Sequence, residues 1–206
     1  MLKSRLVLIV TFICVCENSQ ATQSGVRFDG AVGMPAVTIT NPNKTTAGYD
    51  GISLQGRLFT PIVEDSSINI LAQAVLRYHD LKNTQSTDAE TEVANHIGPG
   101  LGLTFTFARL SLGYEYMLMK ARHYYIGSTG RQIEFDYTAS NIFAGITIPF
   151  GDLGIGFSYN YATGKAGKGE TGLTKDSDYT EQSIWFHISY STGSALGDLA
   201  RSLVKK

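Results

Sequence analysis

Cysteine is almost missing from this chain, and the two that occur are badly placed for structure. Cys14 and Cys16 lie near the N-terminus, behind the basic residues Lys3 and Arg5 and in or beside the apolar run Leu6 to Val15. Ser19-Gln20-Ala21 follows, with small residues at the two positions that a signal peptidase reads. Residues 1–21 are therefore expected to be a cleaved export signal, because so short an apolar run falls below the roughly 20 residues of a spanning helix. A lipoprotein signal fits less well, since Phe12-Ile13 and Cys14-Val15 lack a small-residue lead-in. A mature chain starting at Thr22 has no cysteine, which excludes a disulfide scaffold and a thiolate metal centre.

A basic excess is also lacking. Without Lys3, Arg5 and Glu17, 15 basic residues stand against 17 acidic ones, which argues against a nucleic-acid partner. Beyond residue 21 no window reaches the 18 apolar residues of a transmembrane helix candidate. Proline is scarce, while Gly (22), Tyr (11) and Phe (10) are abundant, a composition that favours strands over helices.

What is present is a period of two, the mark of strands with one apolar face. Ile97, Leu101, Leu103, Phe105 and Phe107 alternate with glycine and threonine. Leu110, Leu112, Tyr114, Tyr116 and Leu118 alternate with Ser111, Gly113, Glu115 and two methionines. Similar alternation runs through Ile68–Tyr78, Leu153–Tyr161 and Ile184–Tyr190, less cleanly through Ile52–Ile62 and Ile142–Phe150, and most weakly through Val26–Gly33. On the extension Ile133–Tyr137 the apolar parity is opposite to that of Ile142, Ile146 and Ile148, which implies a bulge or a strand rising above a membrane.

Eight strands result. Short links at Glu64–Ser67, Ala108-Arg109 and Gly151-Asp152 alternate with long polar ones at 34–49, 81–95, 123–132 and 162–180. Alternating short and long connections suit an outer-membrane barrel with short periplasmic turns and longer outer loops. A soluble β-barrel would share the alternation without that rhythm of loop lengths. The predicted fold is thus all-β, an antiparallel eight-stranded transmembrane barrel over 22–190, followed by a tail at 191–206. Within the tail, Leu196, Leu199 and Leu203 suggest a short amphipathic helix.

Over residues 24–190 the chain resembles the small outer-membrane barrels typified by the OmpA membrane domain and OmpX. The resemblance rests on strand count, loop alternation and strands such as Leu110-Ser-Leu-Gly-Tyr-Glu-Tyr116. It implies residence in a bacterial outer membrane, contact with lipid and lipopolysaccharide, and handling by the barrel-assembly machinery. It also makes the outer loops the place for an extracellular ligand. The sequence departs from the pattern in continuing 16 residues past Tyr190 instead of ending on an aromatic residue.

The parity opposite to the lipid face carries the polar groups. Asp29, Arg57, Gln73, Arg77, Glu115 and Ser158 are expected to form a network in the lumen, with Asp29, Arg57, Gln73, Glu115 and Ser158 at similar depth. An eight-stranded barrel has room for little more than its own side chains, and charges there must pair. The leading expectation is a plugged, non-enzymatic barrel, and the alternative is a narrow small-solute channel. His187-Ile188-Ser189 faintly resembles the His-x-Ser of lipid A deacylases, but it lacks an evident Glu partner and its strand ends near the periplasm, the wrong leaflet for that substrate. His79, His96, His123 and His187 are dispersed without metal spacing. Gly98-Pro-Gly-Leu-Gly102 sits in a strand with no helix behind it, unlike a phosphate loop. No catalytic, metal or cofactor residue is assigned.

Overall fold

The computed structural model describes residues 26–42, 44–64, 68–84, 90–127, 132–169 and 176–192. They form β1 (Arg27–Thr40), β2 (Thr46–Glu64), β3 (Ile68–Asn83), β4 (Glu90–Phe107), β5 (Leu110–Gly127), β6 (Gln132–Phe150), β7 (Leu153–Gly169) and β8 (Asp178–Ser191). Each strand pairs antiparallel with the next. The β1–β8 pairing, from Arg27↔Ser191 to Thr40↔Asp178, closes the ring. Closure removes every sheet edge, which hydrocarbon requires because it offers no hydrogen-bond partner to a bare strand. The export signal at 1–21 and the helix suggested within 194–206 lie outside the described residues.

Two stacked halves of opposite polarity share one continuous wall. In the half nearer the short turns, the outward side chains are apolar: Leu101, Leu103, Phe105 and Phe107 on β4, and Leu110 to Leu118 at alternate positions on β5. Leu101 is 70% exposed, whereas the inward Arg77 and Glu115 are 1% and 0% exposed. A soluble barrel hides its apolar face; this half shows it, as a protein solvated by lipid must. The belt ends near Ile97 on β4, Leu118 on β5, Ile142 on β6 and Tyr161 on β7.

Beyond those residues the parity continues but the chemistry inverts. Asp80, Lys82, Lys120, Arg122, Glu134, Asp136 and Lys165 point outward and are exposed. Val37, Ile39, Leu81, Ile133, Phe135 and Tyr137 pack inward as a hydrophobic core. The opposite parity of Ile133–Tyr137 is therefore the strand rising above the belt, with no break in β6 itself. The irregularity lies in the pairing with β7, between Phe135↔Gly169 and Tyr137↔Ala166.

The expected loop boundaries are corrected by this second half. Strands run on through most of 34–49, 81–95, 123–132 and 162–180, leaving only 41–45, 84–89, 128–131 and 170–177 between them. An apolar-outside count stops where the belt stops, although the hydrogen-bonded ladder does not. At the other end Ala108 (φ 52) and Gly151 (φ 65) take the left-handed conformation that tight hairpin turns need.

The belt makes a direct prediction. Leu103→Arg or Phe157→Arg should weaken folding into lipid by about 2–4 kcal/mol near the bilayer midplane. Urea titration of the lipid-folded barrel reads the effect, and an unchanged midpoint would contradict the assigned lipid face.

Candidate functional site

Parity places the polar side chains of the belt half inside, where neither water nor lipid compensates their charges. Gln73, Gly102, Glu115 and Asn141 are successive cross-strand partners on β3 to β6, so they form one row around the wall. Glu115 is its centre. Arg57 Nε donates to Glu115 Oε1 at 2.7 Å, and Arg77 Nη2 donates to Oε2 at 2.7 Å. Asn141 Nδ2 adds a bond of 2.6 Å and Gln73 Nε2 one of 3.3 Å. Arg77 Nε also donates to Gln55 Oε1, and Thr104 Oγ1 to Gln73 Oε1, each at 2.9 Å.

The structure thus brings together Arg57, Gln73, Arg77 and Glu115, and leaves two of the expected residues apart. Asp29 Oδ2 lies 3.3 Å from His187 Nδ1, nearer the turn end. It is the cross-strand partner of Arg57, but the Arg57 guanidinium reaches across the lumen to Glu115 instead. Ser158 is buried between Gly145 and Trp185 in the register and bonds to none of the four. Its neighbour is Asn160, whose amide nitrogen, oriented toward it, stands 3.3 Å from Ser158 Oγ. Equal strand depth did not bring these side chains together, because long arginines span the lumen and short Asp and Ser side chains cannot.

A second carboxylate completes the charge pattern. Glu181 lies 3.6 Å from Arg77 Nη1 and 3.7 Å from His79 Nε2, and it accepts bonds of 2.8 Å from Tyr179 and Ser183. Ser183 in turn accepts from Trp185 Nε1 at 2.7 Å. Rings fill what the charges leave: the guanidinium of Arg57 sits 4.5 Å from the Phe143 ring and that of Arg77 5.3 Å from Trp185. The lumen glycines make room for those rings. A Cβ on Gly33 would come within 2.5 Å of Trp185, and one on Gly113 within 2.2 Å of Phe143. In both cases the ring belongs to the directly paired strand.

Above the belt, three of the four histidines converge, contrary to the dispersal read from their spacing. His96 Nε2 and His123 Nε2 are 3.1 Å apart, with ring centroids at 5.3 Å and planes at 27°. That separation is close to the in-line geometry of one ring donating to the other. His79 stacks edge-on to His96 at 6.1 Å and bonds Ser53 Oγ through Nδ1. His123 Nδ1 donates to Glu92 Oε1 at 2.7 Å, and Glu92 also accepts from Tyr49 and Asn83 at 2.8 and 2.7 Å. Burial pushes the Glu92 carboxyl up, but those three donors outweigh it and hold it below the usual carboxylate range. Among the described residues no group of three or more His, Cys, Asp and Glu is arranged to hold a metal ion. Glu92, His123, Tyr179 and Glu181 were hidden from sequence reasoning because they fall in stretches read as loops or just before the last strand. Their shared parity with His96, Glu115 and His187 was the available signal.

The His-x-Ser pair faces inward near the turn end. Asp29 supplies an acidic neighbour that the sequence did not suggest. Yet His187 Nε2 and Ser189 Oγ are both without a hydrogen-bond partner, so no base is engaged with the serine.

No protein-family model matches the chain, and no curated protein matches it in sequence. Among solved structures the barrel is similar to Neisserial surface protein A, at 13% identity over 82% of this chain and 99% of that one, with TM-score 0.52. It is similar also to Ail, the attachment invasion locus protein of Yersinia pestis, solved in complex with the heparin analogue sucrose octasulfate. There the identity is 12% over 81% of this chain and 100% of that one, with TM-score 0.49. A third is the outer membrane protease OmpT from Escherichia coli, at 7% identity over 84% and 99%, with TM-score 0.42. At these identities the likeness speaks to fold alone, and the fold is that of a small eight-stranded outer-membrane barrel.

Proposed function

We propose that this barrel resides in a bacterial outer membrane as a non-enzymatic protein, its lumen sealed by its own paired charges. Its long-connection end would face outward. The observation that carries this reading is the belt-half interior. Arg27, Arg57 and Arg77 balance Asp29, Glu115 and Glu181, and at the buried Arg57–Glu115–Arg77 centre both carboxylate oxygens of Glu115 are ion-paired to an arginine. Charges in that setting are fixed by their partners, which suits a plug better than an ion path. The wall would be solvated by lipid and, in the outer leaflet, lipopolysaccharide, after insertion by the barrel-assembly machinery. Ligand or host contact would fall to the rising hairpins and the residues at 41–45, 84–89, 128–131 and 170–177 that join them.

Export and orientation are tested together. Mass spectrometry of the outer-membrane fraction should find a mature N-terminus at Thr22. Protease added to intact cells should cut only at the four long connections. An uncleaved or acylated N-terminus, or cleavage confined to the short turns, would overturn the assignment.

A further inference from the structure

Where the apolar belt meets the charged upper wall, the outer surface of β4 to β7 is not smooth. It carries a groove of about 410 Å³, a volume typical of sites that take small molecules. Two interruptions of the ladder frame it. The β4–β5 pairing skips Gly98 and Pro99, between Ile97↔Lys120 and Gly100↔Met117, and proline has no N–H to give to a ladder. On the other flank lies the β6–β7 irregularity between Phe135↔Gly169 and Tyr137↔Ala166. Such irregularities re-aim the side chains next to them.

The groove has two chemically distinct sides. Ile97, Pro99 and Leu118 form an apolar side continuous with the belt. Lys120, Asp136, Thr138 and Lys165 form a polar side, and all four are exposed. The register sets them in adjoining rows: Lys120 lies opposite Asp136, and Thr138 lies between Leu118 and Lys165. Their charges are loosely engaged. Glu134 holds Arg122 at 3.0 Å and Lys120 only at 3.5 Å, and Lys165 and Asp136 stand in no ion pair among the described residues. Two ammonium groups and one carboxylate thus share the rim of an apolar slot.

We propose that this groove binds a zwitterionic phospholipid with a phosphoethanolamine head. The acyl chains lie on Ile97, Pro99 and Leu118, the phosphate takes the ammonium groups of Lys120 and Lys165, and the lipid's own ammonium donates to Asp136. The alternation of charge selects this head. A purely anionic head satisfies the lysines but brings its charge against Asp136. A choline head has no N–H, so it loses the charge-assisted hydrogen bond to the carboxylate. Lysine suits the position, because its stem lies along apolar surface while its compact charge stays wet and reaches a phosphate. The leaflet concerned, the one nearer the long connections, rests on the orientation proposed above; the site itself rests on the belt edge alone.

The test uses the folded wild-type protein in nonionic detergent micelles. It is titrated with phosphatidylethanolamine, phosphatidylglycerol or phosphatidylcholine of one acyl composition, and native mass spectrometry counts the lipid retained. Expected is saturable binding of the ethanolamine lipid, a few-fold tighter than of either competitor, on the scale of one exposed ion pair. Lys120→Gln with Lys165→Gln removes two such pairs and should weaken it about tenfold. Asp136→Asn should keep the binding and erase the preference over the glycerol head. Lys82→Gln, on β3 outside the groove, should change nothing. All these side chains are exposed, so the variants should keep the folded gel mobility of wild type. No saturable lipid, equal retention of the three heads, or a double lysine variant that binds like wild type would overturn the proposal. Micelles impose no orientation, which separates the premises. Protease cleavage at the short turns of intact cells reassigns the leaflet and leaves the site standing, whereas equal retention sinks the site and leaves the orientation untouched.

Discussion

Glu115→Ala lowers the stability of the lipid-folded barrel by about 3–5 kcal/mol, the cost of breaking a buried ion pair from one side. The size follows from what remains. Arg57 and Arg77 both donate to this carboxylate at 2.7 Å, and Glu115 itself is fully buried. After the substitution Arg57 is left facing Phe143, and no other carboxylate is hydrogen-bonded to it. Arg77 retains Glu181 at 3.6 Å. Denaturant unfolding followed by Trp185, the single tryptophan and a neighbour of Arg77, reads the loss. A control separates charge from packing: replacing Arg57, Arg77 and Glu115 together by apolar residues of similar volume should recover much of the stability. A midpoint within experimental scatter of wild type for Glu115→Ala would mean that the pairs are not dry.

Arg77→Met produces the second large loss, again about 3–5 kcal/mol, with a different signature. Arg77 is shared by two carboxylates, and it also bonds Gln55 and covers the Trp185 ring. Methionine restores much of the apolar stem but none of the charge. Glu115 keeps Arg57 as its cation, whereas Glu181 keeps only His79 at 3.7 Å and its hydroxyl donors. The loss should therefore be reduced by adding Glu181→Gln more than by adding Glu115→Gln. Equal rescue by both, or by neither, would show that Arg77 does not bridge the two carboxylates.

The fold was legible because lipid imposes a one-sided rule: every other residue of a spanning strand is apolar, and Leu103, Tyr116 and Phe157 all obey it. Arg57 opposite Glu115 could be proposed from parity and strand number, since both face a lumen too narrow for water. What escaped was governed by reach and by polarity inversion. Asp29 and Ser158 share parity with Glu115, but their short side chains end beside His187 and Asn160. Residues such as Glu92, His123 and Tyr179 lie where the outward face has turned polar, so they looked like loop. Up there the inward face carries the apolar signal, as Ile133 and Phe135 show. A reading that let the period persist while its polarity changed sign would have kept the strands together and placed the histidines in one lumen.

The claim that joins these results is that paired side chains close the interior, and planar-bilayer recording of the purified, folded wild-type protein tests it most directly. The account predicts a baseline without regular openings in wild type, with conductance arising only in variants such as Glu115→Ala that release the arginines. Regular wild-type openings whose ion selectivity shifts on Arg57→Ala would contradict it.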